Sequence, residues 1–197
     1  MREWATLYGG TGNDFGHGGC ATDDSGNVFG QGSTRSKNFP VSSGAFQTIY
    51  GGGLSDTYIV KLNASGIRVW ATYYGGSNDE FGLGGCATDG SGNVFVHGNT
   101  LSTNFPVSSG AFQTSNGGLY DAYIVKLNAS GNRECATFYG GNHTDYGRGG
   151  CAPDNFGNVI VHGYNRSAGF PLSSGALSTL KCGRFLFYKI SRIVSYD

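Results

Sequence analysis

The sequence predicts an all-β fold, and three observations predict it: an excess of glycine, many aromatics with few helix-building residues, and a repeat punctuated by strand and turn signals. Glycine occupies 36 of 197 positions, well over twice its usual share of about 7%. Charged residues make up 13%, about half the ordinary ~25%. Glycine costs up to about 1 kcal/mol per position inside a helix, so long helices are disfavoured. Aromatics reach 14%, with 13 Phe and 12 Tyr. That is enough bulky apolar surface to build a core, and it sets the chain apart from disordered sequences of low hydrophobicity and high charge.

Charge narrows the partners. Thirteen basic and thirteen acidic residues, with a pI near 6.9, provide no clustered cationic footprint for a polyanion, which excludes nucleic acid. No apolar run approaches the roughly 18 residues of a membrane helix. The opening MREWATLYGG has no apolar core of a secretory signal, which leaves a cytosolic chain, export by another route, or excision from a longer precursor.

The repeat is about 65 residues long. Trp4 opens WATLYGG, Trp70 opens WATYYGG and Cys135 opens CATFYGG. Each copy continues through GGCATDDSGNVFGQG, GGCATDGSGNVFVHG or GGCAPDNFGNVIVHG, and then NFPVSSGAFQT, NFPVSSGAFQT or GFPLSSGALST. The first two copies go on to DTYIVKLNASG and DAYIVKLNASG, where the third departs into KCGRFLFYKISRI. The copies are framed as residues 4–69, 70–134 and 135–192 of one segment spanning 1–197.

Each copy predicts four strands. Gly82 to Asp89 and Asn93 to Asn99 flank a DGSGN turn, whose Gly and side-chain-capped positions suit a tight hairpin. Asp121 to Asn128 is β-branched and aromatic, and ASG then turns into a fourth strand ending in YYGG-type residues. Asn63-Ala64-Ser65 and Asn128-Ala129-Ser130 match a glycosylation acceptor, but both copies need that turn, and the turn reading is preferred. The connections Ser33 to Asp56 and Thr100 to Asp121 exceed hairpin length. Phe39 and Phe46, Phe105 and Phe112, then Phe170 and Leu177 recur in them, which predicts a packed flap over the sheet edge. The copies differ mainly at TRSK, TLST and NRSA and at IYGGGLS against SNGGLY, so these tips are the candidates for partner contact.

Four strands that are apolar on both faces need cover on both sides, and radially stacked propeller blades provide it. The strings WATYYGG, DGSGNVFVHG, NFPVSSGAFQT and DAYIVKLNASG resemble the bacterial β-propeller repeat abbreviated SBBP, over nearly the whole chain to about Thr179. The resemblance implies one blade per repeat, in proteins commonly large and secreted or surface-attached, with no enzymatic activity assigned to the repeat. Propellers ordinarily close with about 4–8 blades. If a terminal face of roughly 400 Å² stays bare, the forgone burial is about 10 kcal/mol at ~25 cal/mol/Å². The chain is therefore expected to belong to a longer array or to pair with another copy to complete a ring. Its opening within the last strand of a repeat and its degenerate third copy favour the longer array.

Four acids are the candidate ligand-binding residues: Asp14, Asp79, Glu80 and Asp145. Asp14, Glu80 and Asp145 share one repeat position, each followed by an aromatic. Loops at equivalent positions of a propeller gather on one face, where these carboxylates would hold calcium or sugar hydroxyls. The competing reading, which the residues favour, is that each acid caps its own turn. Cys20, Cys86 and Cys151 share another position, and Cys86 with His97 and Cys151 with His162 suggest cross-strand metal ligands. Gln31 breaks the pattern in the first copy, so buried cysteines packing between blades are the simpler account and no metal is assigned. Cys135 and Cys182 stand outside the repeated framework and could pair. Asp23, Asp89 and Asp154 read as turn residues, and Asp56 and Asp121 begin the YIVKL strands. GGTGNDFG lacks the Lys and Ser or Thr of a phosphate loop.

Together these readings make the chain a non-catalytic scaffold or an adhesion and binding module for a protein or glycan, with no cofactor. The alternative is a propeller glycosidase or lyase using Asp79, Glu80 and Asp145. It would need two acids in unlike environments, which near-identical repeats do not offer.

Overall fold

The structure, a computed structural model, describes residues 3–154, 156–174 and 184–190, the last seven by their backbone alone. Every regular element among them is a β-strand, and none is a helix long and apolar enough to cross a membrane. The strands form three antiparallel sheets in chain order. The first comprises β1 (Asp14–Phe15), β2 (Cys20–Thr22), β3 (Val28–Thr34), β4 (Asp56–Leu62) and β5 (Arg68–Tyr74). The second repeats it as β6 (Glu80–Phe81), β7 (Cys86–Thr88), β8 (Val94–Thr100), β9 (Asp121–Leu127) and β10 (Arg133–Tyr139). The third holds β11 (Asp145–Tyr146), β12 (Cys151–Pro153), β13 (Val159–Asn165) and β14 (Arg184–Ile190). The first and second sheets thus combine residues of two sequence copies, because the WATYYGG-type segment closes the sheet that precedes it.

Where the sequence predicts a first strand from Gly82 to Asp89, only Cys86–Thr88 is strand, and a second short strand, Glu80–Phe81, precedes the predicted span. β6 pairs with the end of β8 at Thr100 and Asn99, and β7 pairs with its start at Val96, Phe95 and Val94. The glycines between them turn away from the ladder and bond to the neighbouring sheet. Gly19 N donates to Gly84 O at 3.0 Å, and the Gln31 amide donates to Gly84 O, Gly85 O and His97 O at 2.8–2.9 Å. A buried carbonyl needs a donor, and here a different sheet supplies it.

The hairpins follow the sequence closely. Asp23, Asp89 and Asp154 each accept from the backbone two and four residues ahead, and Asn63 and Asn128 do the same in the second hairpin. Gly26, Gly92, Gly66 and Gly131 complete these turns at φ of 73–84°, a region that costs a side-chain-bearing residue energy. The third sheet keeps its strand after the sequence departs from the repeat. β14 pairs with β13 along seven residues, from Asn165↔Arg184 to Val159↔Ile190.

The sheets stack face to face, and burial reports it. All seven residues of β8 are buried, whereas β3 and β13 mix buried and half-buried residues. β7 lies between β2 and β12, so the short strands of all three sheets meet. The long connections lie along the outer edge of the sheets, as the repeated anchors predict. Ser42 N donates to Ala71 O and Tyr73 N to Gln47 O, and Ser108 and Phe138 repeat this on β10. Phe39 and Phe105, each 3% exposed, fill the space beneath. The second anchors behave differently. Phe46 stacks on Tyr74 at 4.9 Å, but Phe112, stacked on Tyr139 at 5.3 Å, remains 64% exposed. Leu177 lies outside the described residues.

Mid-strand glycine has a separate cause. At Gly98 an added Cβ would run into the Phe81 carbonyl oxygen and the Tyr123 hydroxyl, and Gly32 faces Phe15 and Tyr58 in the same way. The missing side chain lets the tyrosine cross its neighbouring strand. Gly98→Ala is expected to destabilise the protein by roughly 3 kcal/mol through overpacking. An unchanged urea midpoint would refute that close contact.

Candidate functional site

The acid position opens each sheet, four residues beyond the second glycine of a Gly-Gly pair. Glu80 is fully buried, accepting from Gly76 N at 2.9 Å and from Thr100 Oγ1 at 2.6 Å. Asp145 repeats this with Gly141 N at 2.7 Å, Ser167 Oγ at 2.5 Å and Asn165 Nδ2 at 2.8 Å. Asp14 accepts from Gly10 N at 2.8 Å, Ser36 Oγ at 3.0 Å and the Thr34 hydroxyl. In all three, a short acceptor satisfies the Gly-Gly turn and the start of the following flap. Asp79 differs: its Oδ1 accepts from Leu54 N at 2.6 Å, tying the loop tip of the first sheet to the second.

Asp14, Glu80 and Asp145 are therefore distributed one per sheet, each bonded to its own Gly-Gly turn, and Asp79 is held by the loop tip of the preceding sheet. Among the described residues no three His, Cys, Asp or Glu side chains gather closely enough to hold a metal ion. The Cys and His pairs also separate. Cys86 lies opposite Val96 and Cys151 opposite Val161, one place away from His97 and His162, whose side chains alternate to the other face. The cysteines mark sheet stacking instead. Cys86 in the middle sheet is buried, Cys151 is half-buried with its Sγ 3.8 Å from Phe95 O of that sheet, and Cys20 is exposed. Burial raises the Cys86 thiol, and takes that of Cys151 to about 12, so neither is an activated thiolate. Cys135 is buried where the other copies carry Trp, and Cys182 lies outside the described residues.

His97 has exchanged chemistry for structure. It is fully buried; its Nε2 accepts from Gly85 N at 2.8 Å and lies 3.3 Å from Gly149 O in the third sheet. Burial lowers its pKa to about 4, so the ring is neutral at physiological pH. Gln31 performs the same bridging role between the first and second sheets.

Sequence reasoning passed over a second acid at each sheet interface. Asp56 and Asp121 start the YIVKL strands and are fully buried. Asp56 Oδ2 accepts from Gly51 N at 2.6 Å, and Asp121 Oδ2 from Gly117 N at 2.7 Å and Gln113 Nε2 at 3.0 Å. The Oδ1 atom of each has no hydrogen-bond partner. Desolvation raises Asp56 to about 7, Glu80 to about 8 and Asp121 to about 6. Asp56 meets Glu80 of the next sheet across Gly75, where an added Cβ would sit 2.9 Å from Asp56 Oδ1 and closer still to Glu80 Oε2. The signal available in the sequence was an acid opening an otherwise β-branched strand in two copies.

No protein-family model matches the chain, and a search of curated proteins returns no match.

Proposed function

We propose that the three sheets are β-propeller blades and that the chain is a non-catalytic scaffold, binding a protein or glycan partner through its loop tips in a secreted or surface setting. The meeting of β2, β7 and β12, with the flaps on the opposite edges, supports a radial arrangement around those short strands. The observation that carries the reading is the contrast between acids and tips. Every recurrent acid is hydrogen-bonded within its own turn, whereas Leu54 and Leu119, at equivalent tips of neighbouring sheets, are 68% and 62% exposed. Exposed apolar side chains at matched places suit docking. Acids buried as deeply as Glu80 and Asp145, 0% and 1% exposed, do not suit proton transfer to a glycosidic bond in solvent.

A glycan array run with parallel hydrolysis assays, together with pull-down of surface proteins, tests this. Binding without turnover, weakened at least tenfold by Leu54→Asp combined with Leu119→Asp, is the expected result. Turnover of a bound glycan would overturn the non-catalytic reading, and binding indifferent to both substitutions would move the contact surface elsewhere.

A further inference from the structure

We infer that Asn116 is a self-modification site, at which the chain converts its own asparagine to aspartate and isoaspartate with Asp121 as the base. The inference is independent of the blade and binding readings above and concerns covalent chemistry in the loop between β8 and β9. Of the chain's asparagines only Asn116 is followed by glycine, and a residue without a Cβ leaves its peptide nitrogen open to approach. The surrounding atoms supply the parts of an acyl transfer.

The nucleophile is the Gly117 nitrogen, whose N–H donates to Asp121 Oδ2 at 2.7 Å. Asp121 is fully buried, its Oδ1 has no hydrogen-bond partner among the described residues, and burial raises its pKa to about 6. A carboxylate held in that condition is a stronger base than a solvated one, and it already faces the proton that must leave. The electrophile is the Asn116 side-chain carbonyl. Its Oδ1 accepts from Gly118 N at 2.9 Å. That bond folds the side chain forward over the Gly117 peptide and aims an N–H at the oxygen where negative charge develops. The leaving group is Asn116 Nδ2, which is buried with no hydrogen-bond partner among the described residues, so nothing but its own C–N bond retains it.

The first sheet shows which part is new. Its loop keeps the bond from Gly51 N to Asp56 Oδ2 at 2.6 Å. It also keeps the bond from Gln47 Nε2 to Ile49 O, repeated as Gln113 Nε2 to Ser115 O, both at 2.9 Å. At the place of Asn116 it carries Tyr50. The acid and the glycine N–H are thus common architecture, and the asparagine adds an electrophile to one copy.

The steps balance with water as the only co-reactant. Asp121 Oδ2 takes the Gly117 proton as the nitrogen bonds to Asn116 Cγ, and Gly118 N–H holds the resulting Oδ1 oxyanion. Collapse breaks the Cγ–Nδ2 bond, the proton passes from Asp121 to the departing nitrogen, and ammonia leaves behind a five-membered succinimide. Water, which reaches the exposed Gly117, then opens the ring. Attack at Cγ gives aspartate, and attack at the Asn116 backbone carbonyl carbon gives isoaspartate, with one extra methylene in the main chain. The same loop is bonded to the third sheet through Leu119 N to His143 O at 3.1 Å and Asp145 N to Tyr120 O at 2.6 Å, so the lengthened chain loosens that contact.

Peptide mapping of the intact chain, aged in neutral buffer, is expected to find the amide-to-acid mass change at Asn116 accumulating at least roughly tenfold faster than in the same chain unfolded in urea. Enzymatic methylation of isoaspartate should mark the same peptide. Asp121→Asn should bring the native rate down to the urea rate and leave the urea rate unchanged. The comparison with urea needs no substitution, so it decides even where that variant does not fold. Conversion no faster in the folded chain than in the unfolded one overturns the inference, and so does a folded Asp121→Asn variant that converts like the parent. The converted fraction, separated by anion exchange, should melt below the parent, and an equal melting temperature would end the link to the third sheet.

Discussion

Phe105→Ala is expected to cost about 3–5 kcal/mol, the range for truncating a buried aromatic. Phe105 is 3% exposed and stands among Tyr123, Tyr74 and Phe138, with ring centroids 4.6, 5.2 and 5.8 Å away. Its neighbours cannot close over the gap without breaking other contacts. The Tyr123 hydroxyl is 2.6 Å from Thr57 Oγ1 of the first sheet, and Tyr74 OH is bonded to Pro106 O. Collapse would thus strain the interface between two sheets as well as the flap that carries Phe105. Phe112, on the same flap but 64% exposed, should cost under about 1 kcal/mol when truncated. Urea titrations of both variants at constant m-value would check the contrast, and equal midpoints would show that the flap does not anchor through Phe105.

Periodicity made the strands and turns legible because each copy states them again: the Asp and Asn turn residues, the positive-φ glycines and the Phe anchors recur at fixed offsets. The acids were legible as a repeated position, and the turn-cap alternative matches the bonds Asp14, Glu80 and Asp145 accept. What the sequence did not display was anything that depends on the neighbouring sheet. The glycines of the break between β6 and β7 are bonded by Gln31 of the preceding sheet, which reaches across to Gly84 and Gly85, a partnership separated by more than fifty residues. The Cys and His pairing failed on register: an offset of one residue puts two side chains on opposite faces. β14 persists where the repeat motif is lost, because seven backbone pairs with β13 require extended geometry more than they require DAYIVKL. Asp56 and Asp121 read as ordinary strand starts until the next sheet is placed over them.

The interfacial acids Asp56 and Glu80 make stability depend on pH in an unusual direction. Asp56 rises from 3.8 to about 7 through burial, with Asp79 adding repulsion, and Glu80 rises from 4.5 to about 8, with Asp56 among its repulsive neighbours. A carboxyl whose folded pKa exceeds its unfolded one binds protons more tightly when folded. Its contribution is complete below the unfolded value and is lost as pH rises through the folded one. Stability should therefore fall between about pH 4 and pH 8, opposite to the behaviour of salt-bridged carboxylates. Each pH unit of separation corresponds to about 1.4 kcal/mol, which gives Asp56 a contribution of order 2–4 kcal/mol. Asp56→Asn should remove most of it. The amide oxygen can keep the bond from Gly51 N, and the amide nitrogen takes the place of Oδ1, which lacks a partner and faces Glu80 across Gly75. The variant is expected to melt higher than the parent at pH 8.5 and close to it at pH 5. Glu80→Gln should act in the same direction, because the amide oxygen keeps the bond from Gly76 N and the amide nitrogen can donate to the Thr100 hydroxyl, which accepts as well as donates. Calorimetric scans across pH 4–9 would decide. A parent whose stability rises through that window, or an Asp56→Asn variant no more stable at pH 8.5, would mean that the interfacial carboxyls are solvated rather than sealed between the sheets.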